Sequence, residues 1–272
     1  MGQTESAGGE YLPLYPKNEY DPEMAKTLMD VARTYMDHAD ALIYSGAGKT
    51  FLSGYDLFDP DYGGRGNIDC SSLILLTLTG IPYERSPYTT GTLKGLGEQT
   101  ALWADPALTD FDSIPERYMS MTERLGRPDL SSGGYADIDL DKAKASGINW
   151  DEVFKEMRGK GMIRRASQLA EYYFKRGECF SDPDSLRPGD LVFFKASSAW
   201  REGYQYFRVF HAISHIGMVW DVPGMMINSA GYQDKNRALA EGLPAVSLAK
   251  IFDYREVDMF ARPYSQRGNR GV

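Results

Sequence analysis

Cysteine and histidine are scarce in this sequence. Its 272 residues include two cysteines, Cys70 and Cys179, and three histidines, His38, His211 and His215. Two cysteines cannot build a disulfide framework, and a single bridge between them would consume either one as a nucleophile. Without a CxxC pair a thiolate zinc site is not expected, and neither a metal nor another cofactor is expected. Long apolar runs are lacking too: none approaches the roughly 18 residues that a membrane-spanning helix needs. Basic residues are outnumbered, with 30 Lys and Arg against 38 Asp and Glu, a net charge of −8 and a pI near 5.0. That balance argues against a nucleic-acid partner and against docking on anionic membranes or wall polymers. Recognition then falls to local pockets, and a monomer is expected. Residues 1–10 have neither a positive n-region nor an apolar h-region, so no secretory signal is expected, and export needs another route or a signal already removed. Met1-Gly2 with Ser6 formally fits the short myristoylation pattern, but a flexible leader is the simpler reading.

What is present is enough apolar sequence for a large core. Residues 1–20 read as a flexible leader. Asp21-Pro22 then starts a helix, with Asp as cap and Pro in the first turn. Met24, Leu28, Val31, Tyr35, Met36, Ala39, Leu42 and Ile43 recur at helical spacing and predict one amphipathic helix, ended by Ser45-Gly46-Ala47-Gly48. That stretch and Lys49-Thr50 faintly resemble a phosphate-binding loop. The motif, however, needs Gly where Ile43 stands, after a strand, and the preceding segment reads as helix, so the motif is rejected. Residues 51–69 read as a loop. Asp69 then caps a short apolar helix over 70–79, stopped by Gly80 and Pro82.

Residues 83–162 have weak periodicity and read as a helical and irregular insertion, and 150–176 carry a helical pattern with a Gly159/Gly161 break. After Arg187-Pro188-Gly189-Asp190 the pattern changes to strands at 191–195, 211–220, 225–229, 246–251 and 257–263. Residues 264–272 read as a disordered tail. The expected layout is α+β: one domain over 21–263, with N-terminal helices packed on a five- to six-stranded antiparallel sheet.

Cys70 follows a capping Asp at the head of a helix. The helix dipole there lowers a thiol pKa, and the first-turn amides can receive an oxyanion. Asp69 opposes this unless backbone amides hold its carboxylate. Locally, a nucleophile and a buried core cysteine are equally good readings. His38 suits the helix C-terminus as a cation. His211 and His215 fall on one predicted strand, facing the same side; either can be a base, and as a metal pair they lack a third ligand. Gly217 permits close approach of another backbone or of substrate. Asn228 on the following strand can orient an imidazole, in the Cys–His–Asn order of one triad variant, although a strand-end polar residue is the simpler reading of Asn228 alone.

These signals fall in one order: Asp69-Cys70-Ser71-Ser72, Arg165-Ala166-Ser167, Pro188-Gly189-Asp190-Leu191-Val192-Phe193-Phe194, His215-Ile216-Gly217-Met218, Asn228, and Phe260-Ala261-Arg262. Over about 25–82 and 163–263 the chain resembles the NlpC-type family of cell-wall cysteine peptidases. The resemblance implies a papain-like fold and hydrolysis of peptidoglycan stem peptides, commonly between D-glutamate and a diamino acid. Carried over by position, Cys70 is the nucleophile, His215 the base and Asn228 the third polar residue. Asp69 and Ser71 are substrate-binding positions, and a tyrosine ahead of the cysteine also lines the site, Tyr62 next to Gly63-Gly64 or, with a different loop length, Tyr55. Ser72 stands where the family has Gly, and Asn228 where His is commoner. The action implied is at the bacterial cell wall, by a secreted, periplasmic or phage-delivered enzyme. A papain-like amidase or acyltransferase and a non-catalytic wall-binding module are the competing readings.

Overall fold

A computed structural model describes residues 12–44, 58–59, 63–90, 145, 147, 165–206, 209–230 and 240–263. Helix α1 (Pro22–Asp37) starts as expected: Asp21 accepts from the Met24 amide at 3.0 Å and proline occupies the first turn. Its buried stripe is Met24, Ala25, Leu28, Val31, Ala32 and Tyr35. The helix ends earlier than the spacing predicts. Residues 39–41 form a 3-10 turn and Leu42–Tyr44 is strand β1. Leu42 and Ile43 are buried, but as strand residues. A few apolar positions past a helix end fit either geometry, and here pairing with another strand decides.

That partner is β3 (Arg65–Ile68), parallel to β1 and antiparallel to β2 (Phe58–Asp59). Parts of the predicted loop over 51–69 thus form a small three-stranded sheet. The segment before Ser45 is a strand, so the case against a phosphate-binding loop rests on Ile43 alone.

Helix α2 (Cys70–Leu78) is buried at every position, and its three hydroxyls are satisfied there: Ser71 and Ser72 donate to Asp69 and Thr77 to the Leu73 carbonyl. Its far end closes as a Schellman turn: the Ile81 amide donates to the Leu76 carbonyl and the Gly80 amide to Thr77, with Gly80 at φ +71°. The Tyr35 hydroxyl donates to the Ile81 carbonyl at 2.7 Å and ties α1 to this turn.

The predicted insertion does not begin as an appendage. Over 83–90 the chain forms a 3-10 turn and the short helix α3 (Pro87–Thr90). Tyr88 is buried and donates to the Asn67 carbonyl at 2.7 Å. Tyr83 stacks on His38 at 4.3 Å. Most of the remainder, 91–162, lies outside the described residues.

Helix α4 (Ala166–Lys175), strands β4 (Cys179–Phe180) and β5 (Leu191–Lys195), and helix α5 (Ser198–Tyr206) follow. Next come β6 (Ile213–Val219), β7 (Met225–Ser229), β8 (Val246–Lys250), the short helix α6 (Ile251–Tyr254) and β9 (Val257–Ala261). Six strands form one antiparallel sheet in the order β4-β9-β5-β6-β7-β8. The fold is α+β, as the sequence predicts, and β5 and β7 have the predicted bounds. Strand β4 was not predicted, being only two residues long.

The sheet separates two apolar layers. Phe193, Ile216, Met218, Ile227 and Met259 join α1, α2 and α4 in the large core. Phe180, Val192, Phe194, Val219, Met226 and Phe260 form a smaller layer beneath Ile251.

The turn into β5 is fixed by a buried ion pair. Asp190 accepts from the Arg187 amide at 2.9 Å and from both ends of the Arg262 fork, Nε at 2.9 Å and Nη2 at 2.8 Å. Arg262 also donates to the carbonyls of Ser185 and Asn18. Residues 12–20 are accordingly not a loose leader. The Asn18 side chain donates to the Arg262 carbonyl at 2.7 Å, and the amides of Ser181 and Asp182 donate to the carbonyls of Pro13 and Leu14.

Gly217 does permit close approach, but of the neighbouring strand. A Cβ there would lie 2.5 Å from Met226 Sδ and 3.2 Å from the Ile227 carbonyl oxygen. Met226 is fully buried, so its thioether can move aside only by displacing packed neighbours, and the Ile227 carbonyl belongs to the backbone. Gly217→Ala is therefore expected to lower the unfolding free energy by about 1–3 kcal/mol, read from urea melts. A change within 0.5 kcal/mol, the range of an ordinary surface substitution, would mean that Met226 repacks to admit the added methyl group.

Candidate active site

The site begins at the head of α2. Asp69 is extended (φ −130°, ψ 178°) and caps the helix. Its Oδ1 accepts from the Ser72 amide at 2.8 Å, the Ser72 hydroxyl at 2.8 Å and the Ser71 hydroxyl at 3.0 Å. The negative charge beside Cys70 is thus held by the helix start, the condition that the sequence leaves open. The Ser72 hydroxyl adds a third donor to the cap. Asp69 and Ser71, expected to bind substrate, are both buried and engaged in this cap. Cys70 occupies the first helical position, buried and not disulfide-bonded.

Helix α2 packs against β6 and β7, the strands that carry His215 and Asn228. His215 Nε2 and Asn228 Oδ1 lie 3.1 Å apart. Asn228 Nδ2 donates to the Ser247 carbonyl at 3.3 Å, and this fixes which way the amide faces. Its oxygen points at His215, so Nε2 carries the proton and the neutral ring keeps its lone pair on Nδ1. Phe194 and Tyr254 flank the ring, with centroids 5.8 Å and 4.8 Å away.

Burial, and next the charge of Arg255, push His215 down to about 3 against the Asn228 bond and the Asp69 charge. The imidazole is therefore uncharged at neutral pH and able to accept a proton.

Sequence reasoning missed Tyr44, Tyr254 and Arg255. Tyr44 follows the last residue of the predicted helical stripe, and Tyr254 and Arg255 fall between the predicted strands at 246–251 and 257–263. The Tyr44 phenol is raised well above its ordinary value, first by burial, then by Cys70, Asp69 and Tyr254, against Arg255. Tyr44 therefore stays un-ionised at neutral pH and brings a neutral hydroxyl, not a charge, to the neighbourhood of Cys70. Tyr55 and Tyr62, the tyrosines expected to line the site, lie outside the described residues.

His211 does not share a strand face with His215. It sits in a 3-10 turn before β6 with φ +49°, followed by Ala212 at φ +54°. Its Nδ1 lies 2.9 Å from Asp258 Oδ2, and that pairing holds it in a left-handed conformation that period-two alternation cannot anticipate. Among the described residues no cluster of three or more metal-binding side chains exists. Cys179 is buried near the Ala170 carbonyl, and burial, with Glu178 and Asp258, raises its thiol pKa far above the ordinary range. That thiol is inert at neutral pH. Arg165 and Ser167 are buried at the start of α4. No model of a protein family matches the chain, and no curated protein and no solved structure matches it.

Proposed function

We propose that this protein is a cysteine endopeptidase of the papain-like, NlpC type that hydrolyses amide bonds in peptidoglycan stem peptides, D-glutamyl–diamino acid bonds being the leading candidates. One observation carries the reading: a capped helix start bearing Cys70 packs on the two strands that hold the His215–Asn228 pair. The motif order of the sequence supplies the substrate class.

The residues suggest the following chemistry. His215 Nδ1 takes the Cys70 proton, and Sγ bonds to the scissile carbonyl carbon. Backbone amides of the first turn of α2 receive the oxyanion. Collapse breaks the C–N bond, the imidazolium returns its proton to the leaving amine, and a thioester remains. Water, deprotonated by His215, then hydrolyses the thioester and restores the thiol. Asn228 keeps Nε2–H engaged, so the base presents the correct nitrogen throughout. Action at the cell wall belongs to the same reading.

Digestion of purified cell walls of several peptide chemistries tests it, with Cys70→Ala as control. Release of stem-peptide fragments with new free termini, seen by mass spectrometry and lost in Cys70→Ala, is the expected result. Acylated acceptors in place of free carboxylates would identify an acyltransferase. Fragment release that persists in Cys70→Ala would refute the proposal.

A further inference from the structure

We infer that Arg255 is the anion-recognition residue of the Cys70 site, its guanidinium holding a substrate carboxylate beside the scissile amide. The inference rests on Cys70 as nucleophile and names the charge that the substrate must carry. Arg255 follows α6 directly, and its guanidinium carbon lies 5.2 Å over the Tyr254 ring. The Tyr254 ring in turn lies 4.8 Å from the His215 ring at an interplanar angle of 31°. One stack thus leads from the cation to the base.

The acids next to Arg255 are committed elsewhere. Asp253 pairs with Lys250 at 3.4 Å, and Glu256 with Lys195 at 2.8 Å and Arg201 at 3.0 Å. No carboxylate among the described residues forms an ion pair with Arg255. The side chain is half-buried, so its field at the site is less screened than that of a surface lysine. In a chain of net charge −8, an anionic substrate needs such a local cation. A guanidinium also offers a planar fork that a carboxylate fits with two hydrogen bonds.

The arrangement has a chemical consequence. The Arg255 charge opposes protonation of His215. A carboxylate bound on the guanidinium cancels that charge and makes His215 a stronger base when substrate is present. A substrate whose carboxylate is amidated lacks this effect.

Alkylation of Cys70 tests the inference without any peptide substrate. Iodoacetate and iodoacetamide differ in charge and little in size. Rates at the Cys70 peptide, followed by mass spectrometry and normalised to free cysteine, give a selectivity for the anion. We expect the wild-type protein to favour iodoacetate. Arg255→Gln should lower that preference about fivefold, the effect of one unit charge on another across about 4 Å of water, and Arg255→Lys should retain most of it. Arg255→Met, which keeps the apolar length, serves if the Gln variant melts early. An anion preference unchanged in folded Arg255→Gln or Arg255→Met overturns the role of Arg255 and leaves Cys70 as nucleophile. A Cys70 that reacts with neither reagent overturns both.

Discussion

Cys70→Ala and His215→Ala will each lower the rate of wall-peptide release by at least about four orders of magnitude, and the double variant will be no slower than either single one. The two side chains act as a unit: the thiol is a weak nucleophile until its proton leaves, and the imidazole has no task without that proton. Single losses that multiplied in the double variant would mean that the residues serve separate steps.

The same histidine gives a pH signature. Its folded-state pKa, about 3, lies below the ordinary value of 6.5. Between these values the unfolded chain binds the extra proton and the folded chain does not. The stability from the neutral, Asn228-bonded ring is therefore fully present above pH 6.5 and declines as the pH falls towards 3. At pH 4 the deficit is about 3 kcal/mol. Urea midpoints at pH 7 and pH 4 measure it. His215→Gln should lose less stability over that interval than wild type by about that amount. Equal losses in the two proteins would show that His215 is solvated.

Arg262→Met will destabilise the fold by about 3–5 kcal/mol, because it strands a buried carboxylate. Asp190 is fully buried, Arg262 is 5% exposed, and burial already raises the Asp190 pKa against the pull of Arg262. Arg262→Lys will not rescue it: an ammonium cannot span both Asp190 oxygens while also reaching the Ser185 carbonyl. Replacing both partners, as Asp190→Leu with Arg262→Met, should recover part of the loss, since no unpaired charge remains. Unfolding free energies of the four proteins decide it. A loss under 1 kcal/mol in Arg262→Met would make the pair marginal.

Most of the sheet was legible in the sequence, and the small sheet was not, for one physical reason. Strands β5 and β7 are five-residue apolar runs bounded by turn residues, so the local pattern carries their limits. Strands β1 and β3 have three and four residues and owe their form to each other, information that no local window holds. Asp21 and Asp69 are both visible in sequence as caps because a cap is a local hydrogen bond. The His215–Asn228 pair was legible through motif order and strand spacing. Tyr44, Tyr254 and Arg255 were not, because what recommends them is convergence from elements far apart in the chain. His211 misled because period-two alternation continues on paper past the point where the Asp258 pairing turns the backbone.

The burial of α2 on every side sets the position of the thiol. A helix with one exposed face can slide or tilt by rearranging side chains against water. This one meets packed neighbours around its whole circumference, with a polar latch at each end. The position of Sγ is thus inherited from residues that never approach a substrate, Tyr35 among them through its bond to the Ile81 carbonyl. Reaction geometry tolerates little error, since a misplacement of about 1 Å can cost about a hundredfold in rate. The interior of the protein therefore acts as a gauge block for the distance of attack, and a substitution deep in the core can leave the chain folded and the nucleophile out of range.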